Sequence, residues 1–166
     1  MNIDPAADFA ASVAEAYWGE VYGIAMYARI AAARPDPQER AKWETMTELE
    51  VVMEARLRPL FERLGGDPNE HLGHWGDKGR VDGARYGAYD WNALMQRFSR
   101  ELDDDIAAYR AIEDGCPPED AQVLRWLTEH EVVAKSFTDD ELGGRSHRSI
   151  APVRRLIAEL RAGKTR

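Results

Sequence analysis

EVYGIAMYARIAAARPDPQERAKWETMTELE, residues 20–50, decides the fold. Its centre, Ala33-Arg34-Pro35-Asp36-Pro37, interrupts helix twice over. The residue before a proline is biased away from helical backbone, so one helix ends near Ala33. Asp36 followed by Pro37 is an N-cap with proline at the first helical position, so a second helix starts at once. A connection this short makes the two helices antiparallel neighbours. Glu20 lies fifteen residues before Pro35 and Glu50 fifteen residues after it. At about 1.5 Å of rise per residue, the two glutamates meet about 22 Å from the turn. The same arrangement recurs downstream, where Glu101 and Glu131 bracket Cys116-Pro117-Pro118 by fifteen residues each way.

Working outward, Asp4-Pro5 starts the first helix, and Gly65-Gly66 ends the second. Pro59 falls inside the second helix and is expected to kink its last turns or split them off. Residues 66–89 hold six glycines, two tyrosines, Trp75, His71 and His74, without a helical period. They read as a long crossover connection. Asp90 caps a third long helix to about Asp114, and Glu119-Asp120 opens a fourth that ends near Gly143-Gly144. Ser149 is expected to cap a short fifth helix over about 150–162. Period-2 runs of β-branched residues are missing, so strands are not expected. The layout is all-α: a four-helix bundle over residues 1–142 with one crossover, and a basic helix and tail over 143–166 packed on the same domain.

Three of the four glutamates fall on apolar stripes at helical spacing. The first stripe reads Val13, Tyr17, Glu20, Ile24, Tyr27; the second Met46, Glu50, Met53, Leu57, Leu60, Leu64; the fourth Leu124, Leu127, Glu131, Ala134, Phe137. Glu101 sits at the edge of the third, which reads Leu94, Phe98, Leu102, Ile106, Tyr109. A lone ionised carboxylate is costly to bury. Several together take up protons unless cations balance them, and divalent metal ions do that well.

On these residues the chain resembles the ferritin-like superfamily, in particular its rubrerythrin-like di-iron carboxylate branch. The segments Leu49-Glu50-Val51-Val52-Met53-Glu54 and Glu129-His130-Glu131-Val132-Val133-Ala134 look like its second- and fourth-helix motifs. The resemblance implies a ferritin-like fold and a di-metal site for iron or manganese, with Glu20, Glu50, Glu101 and Glu131 as ligands. It also implies a histidine three residues after Glu50 and after Glu131, and the chain has Met53 and Ala134 there. Glu54 and His130 are the neighbouring groups able to compensate. Glu54 lies four residues after Glu50, and His130 adjoins Glu131 but is rotated by about 100° around the helix. Lys135 is placed to pair with Glu131. Oxidation of bound iron(II) is the activity such a site would imply.

Two other functions stay open: a metal-free helical module that docks a partner, and a bundle that binds a small molecule in its core. In a metal-free bundle the buried acids would bond to Tyr17, Tyr22, Tyr27 or Lys135. His71-Leu72-Gly73-His74 offers too few ligands for a zinc site. Net charge is −8, which argues against nucleic-acid binding. The charge is uneven: residues 145–166 carry +6 and the rest −14. No apolar run approaches about 20 residues, so no membrane span is expected. MNIDPAADFA shows no secretory signal, and a single cysteine, Cys116, suits a reducing compartment. A cytoplasmic location is therefore expected, and a homodimer is the expected assembly.

Overall fold

The computed structural model describes residues 5–163. They form six helices: α1 Pro5–Ala33, α2 Pro37–Arg63, α3 Leu72–Gly87, α4 Trp91–Asp114, α5 Ala121–Leu142 and α6 Ala151–Ala162. Among the described residues there is no strand, and no helix is long and apolar enough to cross a membrane. The expected cap at Asp4 lies outside the described residues.

The α1–α2 turn forms as its residues dictate. Asp36 accepts from the backbone N–H groups of Gln38 at 2.6 Å and Glu39 at 3.1 Å. Asp90 caps α4 in the same way, accepting from Ala93 N at 2.8 Å. Gly65 ends the α2 segment with φ of +94°, a conformation that favours glycine. Pro59 does not split α2, which runs on to Arg63. Pro59 and Ala55, whose carbonyl loses its helical partner, both face solvent, where water can satisfy that oxygen. Ser149 does not cap α6. It is fully buried, and its hydroxyl donates to Glu141, while Ile150 takes the N-cap position.

Glu141 sets the direction of the helices at one end of the bundle. It accepts from Lys42 at the start of α2, from Trp91 Nε1 at the start of α4 (3.0 Å) and from Ser149 beyond α5. Helices α2 and α4 therefore run the same way, as the long crossover permits, and α5 runs against both. At the opposite end, Arg63 at the close of α2 pairs with Asp120 at the start of α5. Asp120 is thus spent on an ion pair and makes no side-chain cap.

Between the ends lies a core of aromatic and aliphatic side chains. Trp43 packs against Tyr27, Phe98 and Phe137, joining α1, α2, α4 and α5. Helix α6 buries Val153, Leu156, Ile157 and Leu160 against α2 and α5. Helix α4 packs on α5 and touches α1 only slightly, leaving a seam between α1 and α4.

The reading of residues 66–89 as connection without helix is corrected. Residues 72–87 form α3, which lies along α1. Its glycines at 79, 83 and 87 face α1 at four-residue spacing. A Cβ on Gly79 would overlap the Tyr22 carbonyl; one on Gly83 would stand 2.5 Å from the Met26 carbonyl oxygen, and one on Gly87 2.7 Å from Ala33 Cβ. Only glycine allows so close a backbone approach, a packing mode best known from small-residue stripes in helix pairs. Tyr22 donates to Asp82 at 2.9 Å. Buried Arg34 donates to the carbonyls of Gly87 and Tyr89, tying the end of α3 to the α1–α2 turn.

Candidate metal centre

Halfway along the bundle, Glu20 of α1, Glu50 of α2 and His130 and Glu131 of α5 meet. All four are buried, Glu20 to 1 % exposure and His130 to 2 %. The imidazole stands at the centre. Its Nε2 is 3.0 Å from Glu50 Oε1, 3.7 Å from Glu20 Oε2 and 3.8 Å from Glu131 Oε1. Its Nδ1 is 3.0 Å from the Leu127 carbonyl oxygen, which can only accept. That bond places a proton on Nδ1 and turns Nε2 toward the carboxylates. The Tyr109 ring stacks on the imidazole, with centroids 6.5 Å apart.

Gly23 is the local sequence feature that lets Glu50 in. A Cβ there would fall on the Glu50 carboxylate, so the bare α1 backbone leaves the space the carboxylate occupies. The Oε2 of Glu20 is buried without a hydrogen-bond partner. Such an atom costs free energy unless a proton or a cation reaches it.

The electrostatics follow from this crowding. Burial pushes the Glu20 carboxyl well above its usual range; the His130 cation opposes that shift, and Glu50 and Glu131 add to it. Burial likewise raises Glu131 from 4.5 to about 8, against His130 and with Glu50 and Asp105. Burial disfavours the charged form of His130, but Glu20, Glu131 and Glu50 outweigh it and raise its pKa well above 6.5. In the metal-free protein the group holds protons that a metal ion would displace.

Glu20, Glu50 and His130 each offer a ligand atom within 4.8 Å of the others, and this group could hold a metal ion. Donor atoms bound at about 2.1 Å to one ion stand about 3.0–3.4 Å apart at octahedral or tetrahedral angles. The 3.0 and 3.7 Å separations at His130 need little adjustment to meet that. The donor set, one imidazole and two carboxylates, suits first-row divalent ions.

The other residues singled out in the sequence lie around this group. Glu101 is half-buried, bonded to Arg97 at 2.7 Å and to the Tyr86 hydroxyl at 3.1 Å. It lines the mouth of a cavity of about 350 Å³ in the α1–α4 seam, with Glu20, Glu50 and Glu131 deeper in its lining. Glu54 is engaged elsewhere, holding Arg58 at 2.8 and 3.0 Å and accepting from Tyr17. Lys135 does not pair with Glu131. It turns to α4, donating to Ser99 O at 2.8 Å and reaching Asp103 at 3.2 Å. Two of the three tyrosines expected to satisfy the acids have other partners: Tyr17 donates to Glu54 and Tyr22 to Asp82. Met53 and Ala134, at the positions the resemblance gives to histidine, are packed in the core. His71 lies edge-on to Trp18 and His74 to Trp75.

Asp105 and Tyr109 were not singled out as site residues, and both line the cavity. Their signal is spacing: Glu101, Asp105 and Tyr109 are four residues apart on one face of α4.

No protein-family profile, curated protein or solved structure matches this chain.

Proposed function

We propose that this protein is a ferritin-like bundle that binds one divalent transition-metal ion, iron(II) or manganese(II). Glu20, Glu50 and His130 are its ligands, and Glu131 stands beside them. The observation that carries this reading is the buried, unpartnered Oε2 of Glu20, 3.7 Å from His130 Nε2. The family pattern provides two histidines and two ions. This chain puts one imidazole among its buried carboxylates, which supports a single ion.

The chain's own residues divide the work. The Leu127 carbonyl fixes the His130 tautomer. Gly23 leaves the space for the Glu50 carboxylate. Without metal, Glu131, with its carboxyl raised to about 8, holds a proton near neutral pH at the inner end of the cavity, and a bound ion would displace it. A bound ion would supply Lewis acidity toward a molecule in that cavity.

A second reading rests on the 3.0 Å contact between His130 Nε2 and Glu50. In it the imidazolium is the only cation the acids need, and the bundle is metal-free. Purification from cells supplied with iron and manganese, followed by elemental analysis, separates the two. The metal reading expects close to one ion per chain, lost at least about ten-fold in Glu50→Ala. Metal near zero in the unaltered protein, unchanged by that substitution, would sink it.

A further inference from the structure

Helix α2 carries a stripe of side chains whose charges are opposed about its midpoint. Arg40, Glu44, Val51, Arg58 and Glu62 are all exposed. At about 100° per residue they fall within about 40° of one another around the helix. Val51 stands at the centre and is 46 % exposed. Glu44 and Arg58 lie seven residues to either side of it, and Arg40 and Glu62 eleven. At each distance one side carries an acid and the other a base. Thr47 and Ala55, four residues out, are small and uncharged.

These charges have capacity to spare. No hydrogen bond or ion pair to a described residue engages the Glu44 or Glu62 carboxylate. Arg58 gives Nε and Nη2 to Glu54, and Arg40 gives the same two nitrogens to the Arg34 carbonyl. Each keeps Nη1 for another acceptor. Glu48 and Glu54, three residues either side of Val51, would oppose like with like. They stand about 60° from Val51 around the helix. Both are occupied, Glu48 by Arg161 and Glu54 by Arg58 and Tyr17. Toward α1 the stripe is flanked by two hollows with apolar floors. One, of about 250 Å³, lies at Ala28, Ala31 and Ala32, and the other, of about 700 Å³, at Val21, Ile24 and Ala25.

We infer that this face of α2 is the contact between two copies of the chain. A closed two-fold contact joins a patch to itself, and an axis at Val51 lays the two stripes antiparallel. Glu44 of each copy then meets Arg58 of the other, Arg40 meets Glu62, and Val51 meets its own counterpart. A parallel pairing would oppose every charge to its like, so the order of charges selects the antiparallel one. Only a second copy carries the matching order by symmetry. Two copies at net −8 repel one another, and the paired charges offset that at the contact. Exposed ion pairs fix register more than strength. The apolar area comes from Val51 and from the α1 flanks, which the axis brings to the same side of the contact. The inference does not depend on the metal site.

Sedimentation equilibrium on the full chain, from about 1 μM to about 500 μM, is the test. The mass should reach twice the 18.8 kDa of one chain. Val51→Glu puts two carboxylates on the axis and should weaken the dimer at least about ten-fold. Glu62→Arg opposes Arg40 to its like and should also weaken it about ten-fold. Adding Arg40→Glu to Glu62→Arg should restore the dimer to within about three-fold of the unaltered protein. A defect in the fold would not be repaired by a second charge reversal. Val51 and Glu62 are exposed, so circular dichroism of the single variants should show unchanged helix content. A monomer at every concentration overturns the inference. So does a dimer indifferent to Val51→Glu, or a loss in Glu62→Arg that Arg40→Glu does not recover.

Discussion

Gly23 shows how one missing side chain can determine a site. Alanine exceeds glycine in helix interiors by about 1 kcal/mol, so Gly23→Ala should favour α1 by itself. The new Cβ would occupy the place of the Glu50 carboxylate, which is the mobile end of a side chain and can turn aside. The expected outcome is stability within about 1 kcal/mol of the unaltered protein with manganese(II) affinity reduced at least about ten-fold. Urea denaturation and calorimetry on the same sample read both. A large loss of stability with affinity intact would show that Glu50 has no room to yield.

At this scale the sequence was readable where a charged residue interrupted an apolar stripe. Glu20 and Glu50 stand in line with core residues, and both are buried. His130 was harder to place, because a residue next to Glu131 is rotated by about 100° on the helix. That argument assumes a helix buried on one face. Helix α5 is covered by α2, α4 and α6, and its buried residues, from Phe137 through His130, Leu127 and Glu131 to Thr128, spread over about half its circumference. Both neighbours therefore point inward.

Among the elements, α3 is the one the sequence concealed. Glycine is a poor helix former, and six in residues 66–89 read as loop. The spacing of Gly79, Gly83 and Gly87 carried the opposite message, because residues four apart share one helix face. What α3 loses in helix propensity it recovers in contact with α1. Gly83→Ala tests this. Its Cβ would stand 2.5 Å from the Met26 carbonyl oxygen and 2.7 Å from Arg29 Cβ, and neither backbone can yield without shifting the helix. We expect a loss of about 1–3 kcal/mol despite the better helix former. Faster amide exchange along α3 than along α5 should accompany it. A stabilised variant would mean that α3 is not held by close backbone approach. The other helix boundaries were legible because their signals are local: Asp36 and Asp90 both cap as expected. Asp120 and Ser149 did not, because each had a stronger long-range partner, Arg63 and Glu141.

For the whole molecule, the buried acids tie stability to pH. Glu131 titrates near 4.5 when unfolded and at about 8 in the fold, so between those values the folded state holds a proton the unfolded chain has released. Stability therefore falls as pH rises through that window, by about 1.4 kcal/mol per pH unit for each such group. His130 acts in the same direction. Its raised pKa gives stability that is full below 6.5 and lost as pH climbs through the higher folded value. The metal-free protein should melt at a lower temperature at pH 8 than at pH 5. Glu131→Gln should flatten the slope by about one group's share. Manganese(II) should reverse the trend, since its binding displaces protons and strengthens as pH rises. Scanning calorimetry with and without chelator reads all three. A flat profile in the metal-free protein would contradict the account of the buried acids.

The uneven support of the two cavity walls has a mechanical result. Helix α1 is gripped on two sides, by α2 through the short turn and by α3 through bare glycine backbone, with Arg34 riveting the join. Helix α4 leans chiefly on α5. The seam thus has one wall braced on two sides and one braced chiefly on one, so a force that widened it would displace α4 before α1.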